Sequence, residues 1–449
     1  MFCIGCGAEM QKSSAFCENC GLPSDEDVPS SSPLTERIAV DSSAPEKPRR
    51  AGSKVAMFGA GLAALGAAVW YFFPGGGTES GTEIRQQDWP LVVSVGGKCG
   101  AVDESGKLVI NPTFDFLGEF STNGLALVLQ NGLWGFADTS GKVAINPQFQ
   151  SAGNFGSNGL AAVQIGDKWG YIDDDGKTVI QPQYDYAERF DDTGNAWVKI
   201  GENQGRIDSS GNYTINPQFQ YVQGFSNGLA PVAVADKWGY IDSAGRFIIN
   251  AQFESADPFT ADGLAIVKVN GKQGIINKKG EYVVPPTYDA LYGVDSGPLI
   301  PARLGDRTGY IDRAGKMVIA PAYEYVGYFL DGDLAPVKFG ESKYGYVDKT
   351  GKIAINPQFD SANEFIDGHA IVSIANKSGL IDKEGKYIIT PQYNSMTWAQ
   401  NDPSPKRLHY GKYIYIMSNL DRWGVMDSEG NVLIQPQFDA IGCEQEDGH

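Results

Sequence analysis

Residues 168–186 read KWGYIDDDGKTVIQPQYDY, and most of the chain consists of copies of this unit. The first glycines of the ten copies are Gly100, Gly135, Gly170, Gly205, Gly239, Gly274, Gly309, Gly345, Gly379 and Gly424. Successive copies lie 34 to 36 residues apart, except for a last step of 45 residues. A fixed period of this size is typical of repeat architectures, in which each unit buries its apolar face against its neighbours. We therefore expect one repeat array over residues 89–442.

The unit itself predicts β-structure. In residues 138–141, Asp138 and Gly141 flank two residues, an arrangement typical of a hairpin turn because Asp accepts the turn amides and glycine adopts positive φ. All ten copies keep this glycine, and Asn277 replaces the Asp once. A Val/Ile-rich run follows, then in most copies a proline, and then an aromatic residue: Phe114, Phe149, Tyr184, Phe219, Phe253, Tyr288, Tyr323, Phe359, Tyr393 or Phe438. This pattern predicts an all-β array with about three short strands per unit and an aromatic core.

The motif K-W-G-Y-I-D-x-x-G-K-x-V-I-x-P-Q-Y resembles the bacterial WG-containing (KWG) β-repeat family. The resemblance implies an all-β array with an envelope or interaction role. The tryptophan slot holds Trp134, Trp169, Trp238 and Trp423, whereas Cys99, Gln204, Gln273, Thr308, Tyr344 and Ser378 occupy it in the other copies. A slot that accepts Gln and Ser indicates a half-exposed position. The four tryptophans would pack between neighbouring units or, alternatively, stack on sugar rings.

The repeat count bears on whether the array is open or closed. Propellers typically have about four to eight blades, so ten units favour a curved open solenoid, with a closed propeller-like ring as the alternative. Cys99 lies in the first repeat and Cys443 directly after the last. A disulfide between them would close the array if its ends meet in an oxidising compartment.

The chain begins with two cysteine pairs, Cys3 and Cys6 followed by Cys17 and Cys20, each with a glycine after it. Four thiolates at this spacing predict a structural Zn²⁺ site within residues 1–23. A segment this short has no core of its own, so the metal would supply its folding energy. The segment resembles the short zinc ribbons at the start of many bacterial membrane proteins. Redox-active or unstructured cysteine pairs are the alternative.

Residues 24–88 predict a tether and a membrane anchor. Residues 24–54 are rich in Ser, Pro, Asp and Glu, which is typical of a disordered linker. Residues 55–73 carry no charge, and a helix of this length spans about 28 Å, close to the thickness of a bilayer core. Basic residues precede this stretch, so we expect the N-terminus in the cytoplasm and the array outside, periplasmic or extracellular, after one span and a flexible spacer over residues 74–88. A cleaved signal peptide is the alternative.

Charge and composition bear on the function. The formal net charge is −18, and the residues after 74 hold 30 Lys and Arg against 46 Asp and Glu. An acidic array argues against nucleic-acid binding, because that affinity depends on cationic side chains. The three histidines lie near no nucleophile motif, and the recurring Asp residues have turns to make, so we expect no enzyme. Glu188 and Asp191 are carboxylates without a distinguishing context.

The sequence therefore predicts a non-enzymatic, single-pass membrane protein whose exported repeat array binds an unknown protein or serves as a scaffold at the cell envelope. The alternative is a module that binds carbohydrate or cell-wall polymer through exposed tryptophans. The break in the period at residues 398–415 predicts a loop on one face of the array, and residues 443–449 form a short tail.

Overall fold

The computed structural model describes residues 90–340, 343–400 and 410–443. In these ranges the chain forms 39 strands, and no helix there is long and apolar enough to cross a membrane. The predicted zinc ribbon, linker, membrane helix and spacer lie outside the described residues. The strands form ten antiparallel sheets, nine of four strands and one of three, which we call blades 1 to 10.

Each blade is built from up to four strands, and equivalent strands are given together. The short first strands are β4 (Phe116–Phe120), β8 (Ser151–Ala152), β12 (Tyr186–Ala187), β16 (Tyr221–Val222), β20 (Ser255–Ala256), β24 (Ala290–Leu291), β31 (Ser361–Ala362), β35 (Ser395–Gln400) and β39 (Ala440–Ile441). The second strands are β1 (Leu91–Val95), β5 (Leu125–Gln130), β9 (Ala161–Ile165), β13 (Asn195–Ile200), β17 (Ala230–Val234), β21 (Leu264–Val269), β25 (Ile300–Leu304), β28 (Leu334–Phe339), β32 (His369–Ile374) and β36 (Tyr410–Met417).

The remaining strands form the other half of each blade. The third strands are β2 (Lys98–Val102), β6 (Leu133–Asp138), β10 (Lys168–Ile172), β14 (Asn203–Asp208), β18 (Lys237–Ile241), β22 (Lys272–Asn277), β26 (Arg307–Ile311), β29 (Lys343–Asp348), β33 (Lys377–Asp382) and β37 (Trp423–Asp427). The fourth strands are β3 (Leu108–Phe114), β7 (Val143–Phe149), β11 (Thr178–Tyr184), β15 (Tyr213–Phe219), β19 (Phe247–Phe253), β23 (Tyr282–Tyr288), β27 (Met317–Tyr323), β30 (Ile353–Phe359), β34 (Tyr387–Tyr393) and β38 (Val432–Phe438).

The Asp-x-x-Gly segment forms the predicted turn between the third and fourth strands. In blade 3 the Asp173 carboxylate accepts a 2.8 Å hydrogen bond from the Lys177 amide, and the Gly176 amide donates a 3.0 Å bond to the Asp173 carbonyl. Gly176 has φ of +82°, which disfavours any residue with a Cβ. The sequence interpretation of this turn is confirmed.

The glycine after the tryptophan slot is required for a different reason. Pairing between β10 and β11 is interrupted by two bulges, so the β11 backbone crosses directly over Gly170. A Cβ on Gly170 would lie 2.5 Å from the Ile180 carbonyl oxygen and 2.7 Å from the Pro182 nitrogen, and neither backbone atom has room to move. The same clash with fourth-strand backbone occurs at all ten equivalent glycines. The bulge redirects the chain, and after Asp185 alone it begins β12 of the next blade.

Neighbouring blades share their cores. Between blades 3 and 4, one apolar cluster combines Tyr171 and Tyr184 with Phe190 and Val198. The Tyr171 hydroxyl also donates a 2.8 Å hydrogen bond to the Glu188 carbonyl of blade 4. The aromatic residue at the end of the fourth strand is buried in nine blades and half-buried at Tyr393. The predicted aromatic core is therefore present.

The array closes into a propeller-like ring of ten blades. The final short strand β39 pairs with β1, and one apolar cluster joins Val93 and Val102 of blade 1 to Ile434 and Phe438 of blade 10. The glycine of every Asp-x-x-Gly turn lies against an Ile or Val in the fourth strand of the preceding blade. Gly106 of blade 1 lies against Ile434 of blade 10, so this contact also continues across the joint between the two ends of the array. The closed alternative is therefore the arrangement present. Nine of the ten blades also have a fourth, short strand in addition to the three strands expected.

Two further sequence features lie at the ends of the array. Cys99 and Cys443 are joined by a disulfide, with Cα atoms 6.1 Å apart and a sequence separation of 344. The break in the period falls between β35 and β36, where Gln400 pairs with Tyr410, and residues 401–409 lie outside the described residues. The disulfide fastens the same joint that β39 and β1 form.

Replacing Gly170 by alanine tests the crossing of β11 over β10. Because the new methyl group would meet the backbone of β11, we expect Gly170→Ala to lower the free energy of unfolding by about 3 kcal/mol in urea titrations. Gly153→Ala is the matched control, since its Cβ would meet only one atom, 4.0 Å away. An equal loss in both variants would contradict the assigned role of Gly170.

Candidate interaction surface

Every blade has two ends with different chemistry. One end carries the turn between the second and third strands, with a Lys at the start of most third strands, and we call it the lysine face. In blade 3 this turn is Gly166 and Asp167, between Ile165 and Lys168. The other end carries the Asp-x-x-Gly turns and is called the Asp-turn face. Because the blades are equivalent, all ten lysine ends lie on the same face of the ring.

Asp185 links blades 3 and 4 on the lysine face. One carboxylate oxygen accepts a hydrogen bond from Lys168 Nζ of blade 3, and the other accepts a 2.6 Å bond from the Gly201 amide in the turn of blade 4. The hydrogen bond from Lys168, followed by that from Gly201, holds the pKa of Asp185 below its usual value. We call this three-residue connection a strap.

Straps recur around the ring. Five are complete: Lys98–Asp115–Asn131, Lys168–Asp185–Gly201, Lys272–Asp289–Gly305, Lys343–Asp360–Ala375 and Arg422–Asp439–Gly96. The last of them crosses the joint between blades 10 and 1. Each exposed ion pair contributes little by itself, but the carboxylate also satisfies a turn amide. Sequence reasoning gave the motif lysine no role, although its recurrence 17 residues before an Asp was a signal for this pairing.

Three joints lack the strap carboxylate. Gln150 stands at the joint of blades 2 and 3, opposite Leu133, and Gln220 stands at the joint of blades 4 and 5, opposite Asn203. At the joint of blades 9 and 10 the amide oxygen of Asn394 accepts a hydrogen bond from Lys377. The two glutamine joints lie in the same part of the ring. The lysine face therefore has fewer ion pairs over blades 2 to 5 than over blades 6 to 10.

The four tryptophans of the motif lie on the lysine face and are half-buried. The Trp134 ring packs edge-on against Phe116, with ring centroids 5.4 Å apart. Trp169 packs edge-on against Tyr186 of the next blade, with ring centroids 5.5 Å apart. Of the slots without Trp, Cys99 and Thr308 are buried and the others are half-buried. The half-exposed slot inferred from sequence is thus present in eight of the ten blades.

Exposed apolar side chains occur around the lysine face, including Val95, Leu304 and Leu420, and six of them lie in blades 2 to 5 beside the two glutamine joints. They end the second strands or begin the first or third strands of blades 2 to 5, and their exposed fractions are Leu133 38%, Ile165 44%, Tyr186 41%, Ile200 42%, Tyr221 54% and Val234 38%. We call these six residues the apolar arc. A run of exposed apolar groups over neighbouring elements is a common mark of a binding surface. Sequence reasoning missed it because exposure depends on the strand register.

Blade 4 carries a buried charge near the Asp-turn face. Arg206 is 4% exposed in a slot that is apolar or aromatic in every other copy. Its guanidinium pairs with Asp191, donates a 2.9 Å hydrogen bond to Thr193 Oγ1, and lies 4.6 Å from the Phe225 ring centroid. Burial, with the nearby Asp191 charge, raises the pKa of Glu188 to about 7. The structure gives Glu188 and Asp191 the context that sequence reasoning did not find, and the unusual Arg206 was the signal for it.

The remaining predicted ligands are placed as follows. Cys3, Cys6, Cys17 and Cys20 lie outside the described residues, so the predicted zinc site stays a prediction. Within residues 90–340, 343–400 and 410–443, no group of three or more His, Cys, Asp or Glu side chains is arranged to hold a metal ion.

Comparison with known proteins gives a family match over most of the array. The model of the family described as WG containing repeat matches residues 100–134, 134–169, 169–203, 205–238, 238–272, 274–307, 309–341, 344–377, 379–398 and 423–448. No curated protein matches the chain at a significant level.

Several solved structures match the chain at low identity. A crystal structure of the eukaryotic initiation factor is 11% identical, covers 69% of this chain and 94% of its own, and has a TM-score of 0.40. BamB from Moraxella catarrhalis is 11% identical, with 66% and 88% coverage and a TM-score of 0.31. Dihydro-heme d1 dehydrogenase NirN is 12% identical, with 63% and 76% coverage and a TM-score of 0.33.

Some carboxyl groups have a raised pKa and others a lowered pKa, and together they predict how the free energy of unfolding depends on pH. The pKa of Glu188 is raised to about 7 and that of Asp257 to about 6, so the folded state favours their protonated forms and loses stability as the pH rises through these values. The pKa values of the strap residues Asp115 and Asp185 are lowered, so their contribution is lost as the pH falls below about 4. We therefore expect maximal stability near pH 5.

Urea midpoints measured from pH 3 to pH 8 check this profile. Glu188→Gln should flatten the decline between pH 5 and pH 8 and leave the acid limb unchanged. Glu202→Gln, in the exposed turn of blade 4, is the control and should keep the parental profile. A Glu188→Gln profile that still declines as steeply would contradict the assignment.

Proposed function

The chain belongs to the WG-containing repeat family, and we propose that it is a non-enzymatic, membrane-anchored protein whose exported ring serves as an interaction scaffold at the bacterial cell envelope. The observation that carries this proposal is the apolar arc on the lysine face of a closed ring. Ten shared cores and the paired ends hold the arc on a rigid frame, so binding would cost little ordering entropy.

The distribution of cysteines supports the proposed topology. Cys99 and Cys443 form a disulfide, which persists in oxidising compartments outside the cytosol. The other four cysteines have the spacing of a zinc site, which requires reduced thiolates. One membrane span over residues 55–73 would separate the two sets, with the zinc ribbon in the cytoplasm and the ring outside.

Protease treatment of spheroplasts expressing the full chain tests this topology. We expect protease to remove an epitope at the C-terminus while an epitope at the N-terminus stays protected. In the same cells, Cys99 and Cys443 should react with a maleimide reagent only after reduction. A protected C-terminal epitope, or free thiols at Cys99 and Cys443, would contradict the exported ring.

The half-buried tryptophans favour one other function, binding of carbohydrate or cell-wall polymer. Trp134, Trp169, Trp238 and Trp423 share one face of the ring, and aromatic faces stack on sugar rings. Retention of the full chain on purified wall polymer, lost in Trp169→Ala, would support this alternative over the protein scaffold.

A further inference from the structure

The apolar arc is continuous over four blades. The last residue of the second strand is exposed in blades 3, 4 and 5, namely Ile165, Ile200 and Val234. Tyr186 and Tyr221 begin the short strands of blades 4 and 5 beside them, at the same end. In blades 3, 6, 9 and 10 the short strands begin with Ser151, Ser255, Ser361 and Ser395.

Carboxylates alternate with these apolar groups. The turn that follows each exposed second-strand end carries Asp167 in blade 3, Glu202 in blade 4 and Asp236 in blade 5. Among the residues that the structure describes, none of these three carboxylates forms an ion pair, whereas Asp185 beside them is held by Lys168. Blades 3, 4 and 5 thus each present one aliphatic side chain followed two residues later by a carboxylate that forms no ion pair with the described residues, whereas the turn of blade 2 holds Asn131 and Gly132.

We propose that the apolar arc binds a segment of another protein in which apolar side chains alternate with lysine or arginine. This inference rests on the proposed scaffold function and names its surface and the class of its partner. The aliphatic and tyrosine side chains would bury the apolar positions of the segment, and Asp167, Glu202 and Asp236 would pair with its cations.

Two other occupants fit the arc less well. A second copy of the ring would bring the same carboxylates of an acidic array against one another, which costs free energy. The chain's own segment before residue 90 contains basic and apolar residues, but β1 runs from Leu91 on the Asp-turn side toward Val95 on the lysine face. That segment therefore enters the ring on the face opposite the arc.

Peptide binding to the full chain in nanodiscs of neutral lipid tests the proposal. The probe is a fluorescent twelve-residue peptide of alternating lysine and valine, and the control peptide alternates glutamate and valine, with empty nanodiscs as the blank. We expect Ile200→Ser with Tyr221→Ser to weaken binding of the lysine peptide about tenfold or more. Asp167→Asn with Glu202→Gln and Asp236→Asn should weaken it similarly and reduce its salt dependence.

The matched control lies three blades further along the ring. Leu304 and Tyr325 occupy the same positions as Ile200 and Tyr221 and are similarly exposed, at 37% and 44%, but their joint contains Arg307 and Glu324. Leu304→Ser with Tyr325→Ser should leave peptide binding unchanged. Equal weakening by this control, or equal binding of the glutamate peptide, would overturn the proposal.

Photo-crosslinking in cells separates this inference from the scaffold proposal. A photoreactive amino acid at Tyr221 should crosslink to a protein segment that is basic and apolar by mass spectrometry, and one at Tyr325 should not. Crosslinks from Tyr325 alone would overturn the arc and keep the scaffold, whereas no crosslink from either position would contradict both. Crosslinks between two rings, or from Tyr221 to residues 47–73, would assign the arc to a second copy or to this chain and overturn the proposed partner.

Discussion

The ring depends on one close approach between two strands. The fourth strand of each blade crosses over the glycine of the third strand at less than the distance that any side chain permits. Because the crossing carries the chain onto the next blade, the same short segment both completes one sheet and begins another. Its regular use ten times sets a constant step between blades, and a constant step can bring the tenth blade back to the first.

At each joint between blades, buried contacts provide stability and the exposed surface is available for recognition. Buried aromatics such as Tyr171 and Tyr184 hold each joint from within, while the straps hold it at the lysine face. Where glutamine replaces the strap carboxylate, the apolar core still closes the joint, so the surface there is free to carry exposed apolar groups. The joints can therefore differ in their surface ion pairs while the blades keep the same packing. The binding surface can vary in this way without loss of the ring.

Local patterns predicted most of the unit and little of its assembly. The turn formed by Asp173 and Gly176 and the buried aromatic at Tyr184 follow from residues close in sequence, so both were predictable. Pairing of Lys168 with Asp185 depends on where the bulged β11 places Asp185, which the bare pattern does not show. Closure was predicted only as the alternative to an open solenoid, because it depends on the pairing of the two-residue strand β39 with β1, whose residues are far apart in sequence. The apolar arc stayed hidden because Ile200 reads like any strand residue until its register is known.

Hydrogen exchange of the full chain, followed by mass spectrometry, tests the closed ring most directly. If the ends meet, amides of β1 and β39 should be protected to a similar degree as those of β13 and β12, which form the equivalent pairing in blade 4. Exchange of β39 at the rate of an unfolded peptide, with β12 still protected, would mean that the array is open and would contradict this account.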